Sequence, residues 1–475
     1  MVVRRATRIK NPPCRPGFDP CNATRNFVDR RLVFGDKTTI CCKESEMTSD
    51  KTNTSWLMAA TLILMGTSIA LVFFFVIELA LRIMYPEVVL AIEEERRRVE
   101  NLAYVFHPEY LVSLKPSIKK TFPADRDNGV EFIPWQTNTD AFRGKALRKH
   151  PLARIIVYGD SNIEAPFSHL ENTYPNKLEQ YLTEPSGADI EVINGGIDGS
   201  GPDQSLMRFA AQFDKYKPSL IVFHVFADND FGDIVRNRIF ALNSQNELVP
   251  TGFRATVDDA FKSKLSRLLL VVAAQEIRRY YTEPVDDALE ALPSQLVIIE
   301  KLLKKTQAEY AIYKKGGRRV FSHFDDHYDI DIALAPTAES SRVKIALMEG
   351  VLRKVKWTAE EKGTKLLVLI QPSIIDVTHG NARWAALPTG HGDALTSTFL
   401  SRFHEYRKDR LTSVIDEICA RNEIDRINLF PIFTRNDPDS LYFKSGDSHW
   451  NDAGQDLAAR ETANYIQVSL PRLGR

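Results

Sequence analysis

The feature that most constrains the fold is the stretch ARIIVYGDSNIE at residues 153–164. Three β-branched apolar residues at positions 155–157 lead directly into Gly-Asp-Ser at positions 159–161. A strand that is apolar on both faces is typical of a buried position in a parallel sheet. Because chemistry in open α/β sheets occurs at the carboxyl ends of the strands, Ser161 is placed to react. Taken alone, the same three residues are more typical of an ordinary turn.

The rest of the chain continues this alternation of short apolar runs and longer helical stretches. Five strands are predicted, at residues 153–158, 190–193, 220–226, 365–370 and 426–429. Five helices are predicted, at residues 174–182, 203–214, 341–362, 399–421 and 453–468. Strands separated by helices predict an α/β fold, with a parallel sheet covered by helices on both sides.

The alternation stops at about residues 231–340, where 257–315 has a mainly helical pattern. We interpret this region as a helical insertion or cap beside the sheet, of the kind that often shapes substrate access. The chain has 475 residues, which is too long for a single small core. Its 62 basic and 62 acidic residues cancel, so the overall charge indicates neither nucleic acid nor an acidic partner.

A transmembrane helix is predicted at residues 56–84. Positions 56–77 hold no charged residue and are long enough to cross a bilayer. A buried core helix is the alternative, but a core helix of this length normally shows a polar face. The segment ends without a small-residue cleavage pattern, which favours an uncleaved anchor over a removable signal peptide.

Positive charge favours one orientation of this helix. Three arginines at 96–98 follow it but come directly after three glutamates at 93–95. Basic residues are more abundant before it: Arg4, Arg5, Arg8, Lys10, Arg30, Arg31, Lys37, Lys43 and Lys51. We therefore expect a cytoplasmic N-terminus and an exported C-terminal part.

Residues 1–55 form a polar N-terminal segment, and 1–46 differ from the remainder of the chain. They hold four of the five cysteines, whose spacings match no zinc pattern, and show no hydrophobic periodicity. Our hypothesis is that Met47 is the start, with 1–46 disordered or not translated. Residues 85–150 are expected to be a juxtamembrane linker and an irregular lead-in with short strands, and 151–475 to be the main domain.

Two loops after predicted strands carry candidate site residues. The glycine-rich segment 194–204 contains Gly199, whose backbone N–H could point into a site, although a tight turn explains the glycines equally well. Asn229 follows the third strand and could donate a hydrogen bond from its amide, or act as a turn or cap residue. The nearby acids Asp228, Asp230 and Asp233 lack the spacing of a calcium loop, so we predict no metal.

The last candidate segment lies near the C-terminus. His449 stands two residues after Asp447 and leads into a predicted helix. A neighbouring carboxylate can orient such a histidine for acid–base chemistry. The alternative is a histidine that caps the helix or packs beside Trp450.

Taken together in chain order, the Gly-Asp-Ser segment, the Gly199 loop, the Asn229 segment and the His449 segment resemble the SGNH (GDSL) hydrolase superfamily. The resemblance extends from residue 153 to about 467. The resemblance implies a three-layer α/β/α sandwich of the flavodoxin-like type. It also implies Ser161 as nucleophile, His449 as base, and an oxyanion hole formed by the Ser161 N–H, the Gly199 N–H and the Asn229 side chain. Asp447 would fix the tautomer of His449 and stabilise the imidazolium.

Two positions depart from the family pattern. The acid usually lies three residues before the histidine, where this chain has Gly446, and Asp447 lies only two before. This Asp-x-His-Trp form is similar to membrane-associated polysaccharide acetylating enzymes such as the alginate O-acetyltransferases, and either Asp447 or a backbone carbonyl is left to orient His449. Ala227 replaces the glycine that usually begins the third block, a mild change where φ is negative.

The sequence therefore predicts a membrane-anchored serine esterase that acts on acyl esters without a metal or organic cofactor. The alternatives are an O-acyltransferase that modifies a polysaccharide and a non-catalytic envelope or carbohydrate-binding protein with the same fold. The expected partners are an acyl ester, with an acetylated carbohydrate as one candidate, and the membrane. Trp384, Arg236 and Arg238 suit a sugar, but surface or packing roles explain them better.

Overall fold

The computed structural model describes residues 49–84, 103–126, 129–184, 187–252, 294–315, 327–377, 407–443 and 449–469. The chain divides into two units, Met1–Phe75 and Val76–Arg475. The Met47 hypothesis, the cysteines of 1–46, the juxtamembrane segment 85–102, Trp384 and Asp447 lie outside the described residues.

The described strands are β1 (Tyr104–His107), β2 (Leu111–Leu114), β3 (Lys119–Arg126), β4 (Gly129–Gln136), β5 (Ala153–Gly159), β6 (Ile190–Gly196), β7 (Leu220–Phe226), β8 (Phe240–Leu242), β9 (Leu248–Pro250), β10 (Lys365–Gln371) and β11 (Arg426–Asn428). The described α-helices are α1 (Ser49–Met84), α2 (Ser161–Glu164), α3 (Tyr174–Thr183), α4 (Pro202–Tyr216), α5 (Asp230–Asn237), α6 (Ser294–Lys314), α7 (Ile330–Leu334), α8 (Glu339–Lys362), α9 (Ile374–Val377), α10 (Arg410–Arg421), α11 (Phe430–Thr434) and α12 (Asp452–Ser469).

A five-stranded sheet with the order β11-β10-β7-β5-β6 forms the centre of the larger unit. All four neighbouring pairs are parallel, so the predicted parallel sheet is confirmed. Every residue of β6 and β7 is buried, which explains why β7 is almost continuously apolar. The chain direction across the sheet reverses between β5 and β7, and ligands bind at such a switch point in open α/β sheets.

Helices cover the sheet in two groups. α3 packs on β6 and against α12, whereas α4 packs on β5 and β7, and α8 and α10 pack on β10. Right-handed crossovers place α4, which connects β6 to β7, on the same face of the sheet as α8 and α10, which precede β10 and β11. They place α3, which connects β5 to β6, on the opposite face. The result is an α/β fold with helices flanking a parallel sheet.

The lead-in before the sheet forms two antiparallel hairpins, β1–β2 and β3–β4. Its side chains Leu111, Trp135 and Phe142 belong to the same apolar core as the sheet strands. Arg143 forms an isolated bridge with Asn194 of β6, which fastens the lead-in to the edge of the sheet. This segment is therefore packed as part of the α/β body.

The region at 231–340 is attached by buried charges. Lys344 of α8 lies 2.7 Å from Asp329 and 2.9 Å from Asp331. Arg236 of α5 pairs with Asp233 and with Glu309 of α6. All six side chains are buried. Ions buried this deeply are stable only when they are paired, so this network holds α6 and α7 in place together with their apolar contacts to the core.

The helix α1 contains one candidate membrane span, Trp56–Met84, with a mean hydropathy of 2.5. Its apolar side chains are exposed over the span, and Trp56 is 77% exposed. Twenty-nine helical residues extend about 43 Å, more than a hydrocarbon core of about 30 Å. The helix is long and apolar enough to cross a membrane, although a signal sequence meets the same criteria. Arg82 pairs with Glu78 at 2.8 Å, as its i,i+4 spacing indicates.

The buried cation Lys344 provides a test of the ion network. Lys344→Met leaves Asp329 and Asp331 buried without their cation, and we expect it to lower the free energy of unfolding by about 3 to 5 kcal/mol. Lys362→Met on the same helix removes a surface pair with Asp214 and the contact of the ammonium with the Phe213 ring, and it should cost under about 1 kcal/mol. Urea unfolding of the detergent-solubilised full chain measures both, and equal losses would contradict this account.

Candidate active site

Ser161 begins the short helix α2 directly after β5. The Asp160 carboxylate caps this helix by accepting the Asn162 N–H at 2.8 Å. Asp160 and Asn162 are buried, whereas Ser161 is partly exposed. The helix ends after one turn at Ala165, whose φ of 52° is left-handed. This turn presents the serine at the carboxyl edge of the sheet, beside the switch point.

The glycine-rich loop after β6 lies against α2. A Cβ on Gly196 would come within 2.1 Å of the Glu164 backbone nitrogen, so the close approach of β6 requires glycine there. Beyond it, the Asp198 N–H donates to Glu164 Oε2 at 2.7 Å. Gly199 follows with a φ of 65° and is partly exposed. The loop that carries Gly199 is thus held next to the helix that carries Ser161.

Asn229 lies at the carboxyl end of β7 as the N-terminal cap of α5. Its backbone carbonyl accepts the Asp233 N–H at 3.0 Å and a guanidinium N–H of Arg236 at 3.2 Å. Its side chain is 5% exposed and does not cap the helix, and Oδ1 has no hydrogen-bond partner among the described residues. Ala227 has no positive φ, so the departure from glycine at that position is sterically harmless.

His449 is partly exposed, and its ring contacts Phe167 edge to face with 5.3 Å between the ring centres. The next residue, Trp450, donates its backbone N–H to Asn162 Oδ1 at 3.3 Å. Gln455 of α12 donates to the Asn162 carbonyl at 2.9 Å. The C-terminal segment is therefore bound to the residue that immediately follows Ser161.

Three of the predicted site residues, Ser161, Gly199 and Asn229, follow the strands β5, β6 and β7. The fourth, His449, lies on the C-terminal segment that docks on α2. Asp447 lies outside the described residues. The acids Asp228, Asp230 and Asp233 each have a protein partner: the Ser373 hydroxyl, the Phe226 N–H and Arg236, respectively. Among the described residues, no group of three or more His, Cys, Asp or Glu side chains could hold a metal ion.

Arg236 and Arg238 have packing roles. Arg236 is 4% exposed and is engaged by Asp233, Glu309 and His327. Arg238 lies over the ring of Tyr313, with its guanidinium carbon 5.7 Å from the ring centre. These contacts agree with the packing interpretation of both residues.

Sequence reasoning missed three residues that hold the site together. Glu164, which is fully buried, accepts the Tyr104 hydroxyl at 2.9 Å. Arg143, also buried, donates to the carbonyls of Glu164 and Ala165, and to that of Ser168 at 2.6 Å. Tyr104 and Arg143 come from the lead-in, where the sequence showed no chemistry. In the sequence, the sign of this role was the position of Glu164, an acidic residue directly after the apolar Ile163.

Burial changes the proton affinity of these groups. Burial, together with the nearby Asp198 carboxylate, raises the pKa of Glu164 to about 7 against the opposing effects of the Asp198 N–H, Arg143 and Tyr104. Burial also lowers the pKa of Arg143 to about 10, although the neighbouring Glu164 opposes this change. His224, under the Gly-Asp-Ser turn, has a pKa lowered by burial, with its Nε2 2.7 Å from Gln371 Oε1.

Comparison with known proteins gives distant structural likenesses. No family model and no curated protein matches the sequence. Among solved structures, a lipase/acylhydrolase from Enterococcus faecalis is 12% identical, with a TM-score of 0.32 over 67% of this chain and 96% of that one. The esterase EstA from Pseudoalteromonas sp. is 13% identical, with a TM-score of 0.30 over 67% and 100%. A catalytic mutant of Axe2, an acetylxylan esterase from Geobacillus stearothermophilus, is 12% identical, with a TM-score of 0.33 over 68% and 96%.

The raised pKa of Glu164 predicts a pH-dependent stability. Its folded pKa of about 7 exceeds its ordinary 4.5, so its contribution to stability is fully present below about pH 4.5 and is lost as the pH rises through 7. Relative to Glu164→Gln, which does not titrate, the wild-type free energy of unfolding should fall by about 3 kcal/mol between pH 4.5 and 7.5. Urea unfolding at both pH values measures this change, and a constant difference between the two proteins would contradict it.

Proposed function

We propose that this chain is a membrane-anchored serine esterase that hydrolyses acyl esters through an acyl-enzyme. The observation that carries the proposal is the docking of the His449 segment on α2, where Trp450 and Gln455 both bond to Asn162. A nucleophile and its base must lie within hydrogen-bond reach of each other, and this docking brings their two segments together.

In the proposed first step, His449 takes the proton of the Ser161 hydroxyl as its oxygen attacks the ester carbonyl. The carbonyl oxygen becomes an oxyanion that the Ser161 N–H, the Gly199 N–H and the Asn229 amide stabilise. The tetrahedral intermediate collapses, the ester C–O bond breaks, and His449 returns the proton to the departing alcohol. Asp447 orients the imidazole and stabilises its charged form.

In the second step, water attacks the acyl-enzyme while His449 takes its proton. The carboxylic acid leaves, and the proton returns to the Ser161 oxygen. The Asn229 side chain supports this scheme, because it is buried at the carboxyl end of β7 and does not cap α5, so its amide N–H groups are not engaged by the start of that helix.

The first test is covalent labelling by a fluorophosphonate. Labelling of the full chain should be lost in Ser161→Ala, and hydrolysis of a short p-nitrophenyl ester should fall at least about 1000-fold in that variant. Ser168→Ala, which removes a nearby buried hydroxyl, is the matched control and should label normally. A folded wild-type protein that neither labels nor hydrolyses any ester would favour the non-catalytic alternative.

We also propose that α1 anchors the protein by a single pass, with the N-terminus in the cytoplasm and the catalytic domain exported. The basic residues before the helix support this orientation. A C-terminal alkaline phosphatase fusion, which is active only after export, should be active. An inactive phosphatase fusion together with a fluorescent C-terminal green fluorescent protein fusion would reverse the orientation.

A further inference from the structure

We propose that Glu164 is a positioning residue that holds the oxyanion loop against the nucleophile helix, with Tyr104 as its second support. This inference rests on the proposed function, since it assigns a catalytic consequence to contacts beside the candidate nucleophile. The Glu164 carboxylate accepts hydrogen bonds from Tyr104 and from the Asp198 N–H, and we infer that it acts through the Asp198–Gly199 backbone.

The carboxylate connects three separate segments. It belongs to α2, three residues after Ser161, and its Oε2 accepts the Asp198 N–H at 2.7 Å. The Tyr104 hydroxyl lies 2.9 Å from Oε1 and 3.1 Å from Oε2. One side chain thereby joins the serine helix, the Gly199 loop and the lead-in strand β1.

The Gly199 loop depends on such an anchor. Ile197 donates to the Gly159 carbonyl at 3.1 Å, which holds the start of the loop. Two residues later, Gly199 turns through a positive φ, so the direction of its N–H depends on where the backbone of Asp198 is held. An oxyanion donor is effective only when it is oriented before the reaction, and the Glu164 bond fixes the residue directly before it.

A purely structural role does not explain the use of a carboxylate. A fully buried acid is unfavourable, as its pKa raised to about 7 indicates, and an apolar side chain of similar size would usually stabilise this position better. Glu164 has two acceptor oxygens, and both are used by donors from different segments. An apolar side chain could not accept these two hydrogen bonds.

The surrounding charges support the same arrangement. Arg143 donates to the Glu164 and Ala165 carbonyls and so fixes the backbone on which the carboxylate is mounted. Asp198 contributes a nearby negative charge, and Arg208 and Arg143 contribute positive ones. The lead-in thus reaches the site through both Tyr104 and Arg143.

The test compares the full-length wild-type chain with the Glu164→Gln variant, by steady-state kinetics and by fluorophosphonate labelling. The amide keeps one acceptor oxygen but presents N–H groups in place of the other, so one of the two donors loses its partner. We expect kcat for a short p-nitrophenyl ester to fall about 10- to 100-fold with KM within about 2-fold, and fluorophosphonate labelling of Ser161 to slow similarly.

Two further variants complete the design. Glu191→Gln is the matched control, because Glu191 is a buried carboxylate of β6 that pairs with Arg154 near the opposite end of the strand. Its kcat should equal that of the wild type. Tyr104→Phe removes only one donor and should lower kcat by less than Glu164→Gln does. If Glu164→Gln does not fold, Tyr104→Phe decides the question by the same split between kcat and KM.

A wild-type kcat in both Glu164→Gln and Tyr104→Phe, or an effect on KM alone, would overturn the inference while the esterase proposal stands. A wild-type protein that shows no Ser161-dependent labelling would instead overturn the esterase proposal. The two failures are therefore distinguishable in one set of measurements.

Discussion

The hydrogen bonds of Asn162 hold the candidate site together. Its side chain accepts the Trp450 N–H, and its carbonyl accepts the Gln455 amide, from a segment that lies 288 and 293 residues further along the chain. Asn162 is buried, so these bonds form away from competing water. Neighbouring contacts support the same docking, since the Tyr174 N–H donates to Gln455 Oε1 at 2.7 Å and the Phe167 ring packs on His449.

The same helix also receives the glycine loop and the lead-in. Gly196 allows the backbone of β6 to touch α2, and Arg143 engages the carbonyls at the end of that helix. One turn of helix is therefore contacted from three directions, because it lies at the switch point between β5 and β7. Such a location explains how loops from distant parts of the sequence surround one serine.

Much of the architecture could be predicted because it depends on short, local sequence patterns. Most strands of the parallel sheet are short apolar runs, and their alternation with helices along the chain indicates the α/β class from the sequence alone. Ser161, Gly199 and Asn229 could be proposed as site residues for a similar reason, since each lies within three residues of the end of a strand. Local patterns reveal strand ends well, and the carboxyl ends of the strands are where we propose the site.

The supporting contacts could not be predicted, because each depends on a partner far away in the chain. Glu164 looks like any helix acid in the sequence, and only the folded chain brings Tyr104 and the Asp198 N–H to it. Arg236 suited a sugar by residue type, but Glu309 and His327 bury it in an ion network. Charged residues have the same local signature in both environments, so burial decides between them.

The central claim is that three loops surround one carbonyl at Ser161, and a crystal structure of the phosphonylated protein tests it most directly. The account predicts phosphorus bonded to Ser161 Oγ and the phosphoryl oxygen about 2.7 to 3.1 Å from the backbone nitrogen of Gly199 and the amide nitrogen of Asn229. Phosphorus on another side chain, or a phosphoryl oxygen directed into solvent away from both donors, would contradict it.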